Sequence, residues 1–149
     1  AVIDQLFGFF RNLEHLKIQA NQIDLDDGNL GTLMENEDLV GKLKTLHLSL
    51  RNKQISNTSI EAFFKMLFES LEDLKLDFSG SDIDEEALMP LVPTRFRNLP
   101  KLKSLKLDFE GTDIPVYFRD FLVFLFKKEL EGGHEEDNES SSRMVTDTL

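Results

Sequence analysis

The sequence contains no cysteine and no tryptophan, and it has only four prolines and eight glycines among its 149 residues. Without cysteine, the chain cannot form disulfides, thiolate metal sites or a cysteine nucleophile, and its composition suits a reducing compartment. No run approaches the ~20 apolar residues that a membrane-spanning helix needs, and no basic segment precedes an apolar one as in a signal peptide. We therefore expect an intracellular, cytoplasmic protein without membrane insertion.

Positive charge is scarce. The 17 Lys and Arg residues stand against 28 Asp and Glu, which gives a formal charge of −11. An acidic chain repels nucleic-acid phosphates and anionic lipids, so we expect no nucleic-acid partner. The excess is largest in residues 131–149, where six acidic residues accompany Arg143 alone. This segment also has few apolar residues, which predicts a disordered acidic tail after a folded domain of residues 1–130.

Sequence motifs of known enzyme chemistry are missing. The chain has no P-loop, no dinucleotide-binding glycine pattern, no zinc-protease motif and no nucleophile elbow. His15 and His47 have no convergent third ligand or substrate pocket that the sequence identifies, so surface histidines are the simpler interpretation. We therefore predict a protein that is not an enzyme and that has no cofactor or metal site.

The main positive feature is a repeat. An L-x-x-L-x-[LI] frame occurs four times, with intervals of 30, 28 and 31 residues between its central leucines. Leucines that alternate with polar residues predict half-buried strands, and the regular period predicts one structural unit stacked about four times. The central leucines are Leu16, Leu46, Leu74 and Leu105, and the last three copies continue in a shared phase to Ile55, Ile83 and Ile114.

Segments between the predicted strands have helical patterns. Thr58 and Glu61 form a predicted capping box, and Asp84 predicts a short helix through Glu85–Leu91 that nearby prolines limit. The clearest apolar stripe, at i, i+3, i+4 and i+7, is made by Ile60, Phe63, Phe64 and Leu67. Residues 3–10 resemble the helical half of a repeat without its strand, so we expect this array to be the C-terminal end of a longer one.

The repeated frame resembles that of leucine-rich-repeat proteins, and its period is most similar to the ribonuclease-inhibitor-like class. The resemblance covers roughly residues 3–130. It implies an α/β solenoid with parallel strands on the concave side and helices on the convex side, used for binding proteins. The family's usual asparagine position holds Asn21 in the first copy and Arg51, Ser79 and Glu110 in the others.

The residues between the leucines point away from the core and align in columns when strands stack in register. The columns read His15, Thr45, Asp73, Ser104; then Lys17, His47, Lys75, Lys106; then Gln19, Ser49, Asp77, Asp108; then Asn21, Arg51, Ser79, Glu110. Two interpretations remain open, a solvated face with offsetting charges and a protein-binding face. For the second, the candidate residues are Lys17, His47, Arg51, Lys75, Asp77, Lys106 and Asp108.

The last predicted helix, residues 115–130, has more apolar residues than one buried stripe needs. Pro115 suits its first turn, and the predicted inward residues are Phe118, Phe121, Leu122 and Leu125. Other faces then carry Val116, Tyr117, Val123, Phe124 and Phe126. The helix is either a cap covered by the tail or an exposed contact surface, and Tyr117 and Phe124 are candidate protein-binding residues in the second case.

Two functions follow from these patterns. The first is a protein–protein interaction or scaffolding module that binds through the concave strand face, the apolar terminal helix, or both. The alternative is a structural subunit embedded permanently in a large assembly. The sequence leaves the oligomeric state open.

Overall fold

The computed structural model describes residues 2–19, 25–51, 54–132 and 144–148. Strands alternate with one or two helical segments along this part of the chain. In chain order the elements are α1 (Val2–Phe9), β1 (His15–Ile18), α2 (Asp27–Glu35), α3 (Glu37–Lys42), β2 (Thr45–Ser49), α4 (Asn57–Lys65), β3 (Asp73–Asp77), a 3₁₀ helix (Glu85–Leu88), α5 (Leu91–Thr94), β4 (Ser104–Asp108), α6 (Val116–Gly132) and β5 (Met144–Thr148).

All five strands form one sheet in the order β1-β2-β3-β4-β5, and each neighbouring pair is parallel. Leu46 pairs with Leu16 on one side and with Leu74 on the other. Leu74 pairs in turn with Leu105, so the central leucines of the four repeats form one row across the sheet. The predicted α/β class, with a parallel sheet and connecting helices, is therefore confirmed.

The leucine face of the sheet packs against the helices. Leu46, Leu74 and Leu105 belong to one apolar cluster that also contains the helical residues Ile60 and Leu122. Burying a leucine side chain stabilises the fold by roughly 1.5–3 kcal/mol. The strand side chains between the leucines lie on the opposite side of the sheet, because successive side chains alternate. We call this second side the polar face.

Helix α4 begins earlier than the sequence predicts. Ser56 is its N-cap, and the Ser56 side chain accepts a hydrogen bond from the Ser59 backbone N–H at 3.2 Å. The predicted capping box of Thr58 and Glu61 is wrong, because Thr58 already lies in the first turn of α4 and is exposed. Serine and threonine are both good caps, so residue type alone does not identify Ser56 as the cap.

Two helical segments also end earlier than expected. Beyond the end of α4, Leu67 is 49% exposed, and Phe68 is buried in its place. Asp84 caps the next segment as predicted, accepting a hydrogen bond from Glu86 N–H at 3.0 Å. That segment is only a 3₁₀ helix, however, and α5 starts after Pro90, which lacks the N–H that a continuous helix would use.

Side-chain hydrogen bonds join helical segments of neighbouring repeats. Asn57 Nδ2 donates to Asp84 Oδ1 at 2.9 Å, and Asp84 N–H donates to Asn57 Oδ1 at 3.0 Å. Asn29 Nδ2 donates to Asp4 Oδ1 at 2.7 Å. The partners lie 27 and 25 residues apart. These contacts hold successive repeats together outside the apolar cluster.

The turns after β3 and β4 share one geometry. Gly80 and Gly111 have φ angles of 72° and 74°, in the left-handed region that favours glycine. Gly80 N–H donates to Glu110 O at 2.8 Å, so the two turns bond directly. Next to them, the rings of Phe78 and Phe109 stack with centroids 5.8 Å apart and planes 7° apart. The shared phase of these two repeats therefore produces matched, stacked turns.

Part of the predicted tail forms regular structure. α6 continues to Gly132, and Met144–Thr148 pairs with β4 as the parallel strand β5. The expectation of disorder thus differs from the structure for this strand, which contains the β-branched residues Val145, Thr146 and Thr148. The edge of β4 also offers unpaired backbone groups that an extended segment satisfies. The predicted disorder of residues 133–143 falls outside the described residues.

Candidate interaction face

The polar face contains the predicted columns in register. His15, Thr45, Asp73 and Ser104 pair along the first column, and Lys17, His47, Lys75 and Lys106 along the second. Ser49, Asp77 and Asp108 pair along the third. Gln19 and the fourth-column residues Arg51, Ser79 and Glu110 lie just after the strands, and Asn21 is outside the described residues. The strands therefore bring most of the predicted candidates onto one surface.

The two histidines of this face have separate partners. His15 Nδ1 lies 2.9 Å from Thr45 Oγ1. His47 Nε2 lies 3.0 Å from Asp73 Oδ2, and both of these side chains are partly exposed. His47 therefore pairs with the Asp73 side chain of the neighbouring strand, and the two histidines contact different residues.

Asp77 and Asp108 bind the backbone of their own turns. Asp77 Oδ1 accepts hydrogen bonds from the N–H and the hydroxyl of Ser79. Asp108 Oδ1 accepts one from Glu110 N–H at 3.1 Å. Such bonds two residues ahead are typical of aspartate at a turn. The other oxygen of Asp77 lies 3.8 Å from Arg51 Nε, so this carboxylate has contacts on both sides.

The lysines of the second column differ from these aspartates in their contacts. Lys17 and Lys75 are exposed and Lys106 is half-buried. Among the residues that the structure describes, none of the three forms an ion pair or a side-chain hydrogen bond. The polar face therefore combines carboxylates that already have partners with ammonium groups that have none among the described residues.

His47 lies between two of these lysines. It pairs with Lys17 on β1 and with Lys75 on β3. Adjacent strands are about 4.8 Å apart, so the two lysine backbones are separated by roughly 10 Å. A lysine side chain is long and flexible, so both ammonium groups can reach the same point above His47.

A cavity of about 250 Å³ opens at this position on the polar face. Ser49 contributes to its wall, yet Ser49 is only 3% exposed and its hydroxyl has no hydrogen-bond partner within the described structure. The sequence places Ser49 in the third column but does not predict its burial. The lining residues are Lys17, Ile18, Gln19, His47, Leu48, Ser49, Lys75 and Asp77.

The inward side of α6 differs from the prediction. Phe121 is 41% exposed, whereas Phe126, which the sequence places on another face, is 2% exposed. Phe126 packs against Phe96 of the preceding segment, with ring centroids 5.0 Å apart. Compared with the prediction, α6 is therefore rotated about its axis so that Phe126 faces Phe96. The residues whose predicted burial is confirmed are Phe118, Leu122 and Leu125.

Three aromatic side chains lie exposed along α6. Tyr117 and Phe124 are 72% and 55% exposed, and Phe121 lies between them. The spacing i, i+4, i+7 places the three on one side of the helix, and we call them the aromatic stripe. Lys128 Nζ lies 5.7 Å from the centroid of the Phe124 ring and extends the stripe. Helix α6 therefore buries one side in the core and exposes these three rings on another.

Other kinds of site have little support in the described residues. No group of three or more His, Asp and Glu side chains is arranged there as a metal site. Across the same residues, no helix combines the length and apolar character needed to cross a bilayer.

Comparisons with known proteins do not assign the chain to a family. No family model matches the sequence, and no curated protein matches it. The polar face and the aromatic stripe are therefore the two surfaces that bear on its function.

Proposed function

We propose that this chain is a leucine-rich-repeat solenoid that acts as a cytoplasmic protein-binding or scaffolding module rather than as an enzyme. Its polar face, which is concave in such a solenoid, is the binding surface. The supporting observation is the row of Lys17, Lys75 and Lys106, which have no partner in the described structure while neighbouring carboxylates do. Solenoids commonly bind through this surface.

The rigidity of the sheet favours this use of the face. Lys75 and Lys106 are paired positions on adjacent parallel strands, so their backbones are fixed before a partner arrives. Little backbone order is then lost on binding, which improves affinity. Unpaired charges at such positions also select a partner of complementary charge and speed its approach. A solvated face would have the same charges but no requirement for a specific partner.

The experiment is quantitative co-purification from the native source with matched charge reversals. One variant combines Lys75→Glu with Lys106→Glu on the polar face, and the control combines Lys101→Glu with Lys127→Glu at exposed positions elsewhere. Both change the net charge equally. We expect partners of the wild-type chain to be lost with the first variant and kept with the control, and the interaction to be reproduced by calorimetry with purified components. Equal retention by both variants would contradict the proposal.

A second candidate function is a structural subunit that uses the aromatic stripe as a permanent contact. Its supporting observation is the exposure of Tyr117, Phe121 and Phe124 on one side of α6. Contiguous apolar patches of this kind often mark interaction surfaces. Light scattering coupled to size exclusion separates the candidates. A monomeric wild-type chain favours the module, whereas larger species that Tyr117→Ser with Phe124→Ser returns to monomer favour the embedded subunit.

A further inference from the structure

We propose that the cavity between Lys17 and Lys75 binds one anionic oxygen group, a carboxylate or a phosphate ester, presented by an acidic peptide segment of a protein partner. The inference rests on the proposed function, because it names the chemistry that the same face recognises. It is supported by the charge of the cavity wall, by an enclosed hydroxyl in that wall, and by the size of the cavity.

The cavity wall is positively charged although the chain as a whole is strongly acidic. Lys17 and Lys75 reach it from both sides, and neither has a partner in the described residues. Asp77 is the only acidic lining residue in the described part of the chain, and that carboxylate already contacts Ser79 and Arg51. Two ammonium groups are therefore available to an incoming anion, and hydrogen bonds between charged groups are among the strongest in proteins.

Ser49 supplies an independent observation. Its residue is 97% buried, it lines the cavity, and its hydroxyl has no hydrogen-bond partner among the described residues. Enclosing a hydroxyl without a partner is unfavourable, and such groups are few in folded proteins. The hydroxyl oxygen exposes less than 1 Å², so a ligand oxygen that enters the cavity and displaces the groups around Ser49 would accept a hydrogen bond from it. A hydrogen bond from Ser49 to a bound ligand would relieve this unfavourable burial.

A single acidic group suits this cavity better than a polyanion. The volume of about 250 Å³ accommodates a side-chain carboxylate or a phosphate. A nucleic acid brings many phosphates toward a molecule of net charge −11, which repels them. At physiological salt, charges more than about 8 Å apart are largely screened. A peptide carboxylate inside the cavity therefore responds to Lys17 and Lys75 more than to the distant acidic residues.

The experiment is fluorescence-polarisation binding of labelled peptides to the full chain at physiological salt. One probe alternates Gly and Glu, one replaces each Glu with Gln, and one replaces each Glu with phosphoserine. We expect the two acidic probes to bind and the Gln probe to bind at least about tenfold more weakly. The ratio of the two acidic affinities identifies whether carboxylate or phosphate is preferred.

Variants then localise the binding. Lys17→Gln with Lys75→Gln is expected to weaken the acidic probes at least about tenfold, and Ser49→Ala about three- to tenfold without change in net charge. The matched control, Lys101→Gln with Lys127→Gln, should bind like the wild type. Denaturant unfolding confirms that each variant is folded, and Ser49→Ala should be as stable as the wild type or more so.

Three results would overturn the inference. The first is a loss of affinity for the acidic probes in the Lys101 and Lys127 control that equals the loss in the Lys17 and Lys75 variant. The second is wild-type affinity in Ser49→Ala. The third is tighter binding of a single-stranded oligonucleotide than of either acidic peptide. If co-purified partners depend on Lys75 and Lys106 but no acidic probe binds, the polar face is still the binding surface and only the anionic-group inference fails.

Discussion

Asn57 and Asp84 exchange two hydrogen bonds across neighbouring repeats, although they are 27 residues apart in the chain. Each residue satisfies a polar group of the other where α4 approaches the next helical segment. Because both side chains are half-buried, removing one partner leaves the other without its bond. The pair therefore acts as one unit.

We predict that Asn57→Ala lowers the free energy of unfolding by about 1–3 kcal/mol, because it leaves a partly buried polar partner unsatisfied. Urea denaturation of Asn57→Ala, Asp84→Ala and the double variant measures the effect. The double variant should lose less than the sum of the single losses. Additive losses would mean that the two side chains are not energetically coupled.

Substitutions at Ser56 and Thr58 test which of these residues caps the start of α4. Ser56→Ala should destabilise the chain by about 1 kcal/mol, because it removes the N-cap acceptor. Thr58→Ala should change stability by less than about 0.5 kcal/mol, since this exposed side chain is not the cap. Thermal unfolding of both variants provides the comparison. A larger loss of stability for Thr58→Ala than for Ser56→Ala would instead support the capping box that the sequence predicts.

Leu74 and Leu67 are a matched pair of leucines with opposite environments. Leu74 is fully buried in an interior strand, whereas Leu67 is half-exposed after α4. Leu74→Ala should cost about 2–5 kcal/mol through lost burial and the remaining cavity. Leu67→Ala should cost less than about 1 kcal/mol. A loss below about 1 kcal/mol for Leu74→Ala in denaturant titration would contradict its place in the core.

Asp4 has a lowered pKa, chiefly because the Asn29 side chain donates a hydrogen bond to its carboxylate. A lowered pKa in the folded chain contributes stability above the ordinary aspartate value of about 3.9, and this contribution is lost as the pH falls through the folded pKa. NMR titration should therefore show a low midpoint for Asp4 that Asn29→Ala raises. Asn98→Ala, at a distant hydrogen-bonded asparagine, should leave the midpoint unchanged.

The strands and their register could be predicted from the sequence because the leucine frame repeats with one phase. Alternation fixes which side chains share a face, and parallel stacking of equal frames aligns Leu46 with Leu16 and Leu74. The pairing of Lys75 with Lys106 follows from the same rule. Predicting this part of the candidate face requires only the local periodicity, which can be read from a single sequence.

The remaining features depend on contacts between distant segments. Phe126 is buried because Phe96 lies beside α6, and no spacing within the helix indicates that neighbour. Ser49 is buried although it lies on the polar face, and neither this burial nor the cavity follows from its column. β5 was missed because its segment has an acidic composition, while its pairing depends on the open backbone edge of β4.

The pairing of β5 with β4 also determines how copies of this chain can polymerise through their backbones. Within the described residues, β1 pairs only with β2, while β5 covers β4 at the other end of the sheet. A fibre grows only when each added copy presents a fresh edge to the next. β4 and β5 each have five residues, so β5 pairs the β4 backbone along its whole length. Removal of Met144–Thr148 would therefore leave β4 as the fresh edge, with its backbone groups open to a strand of another copy.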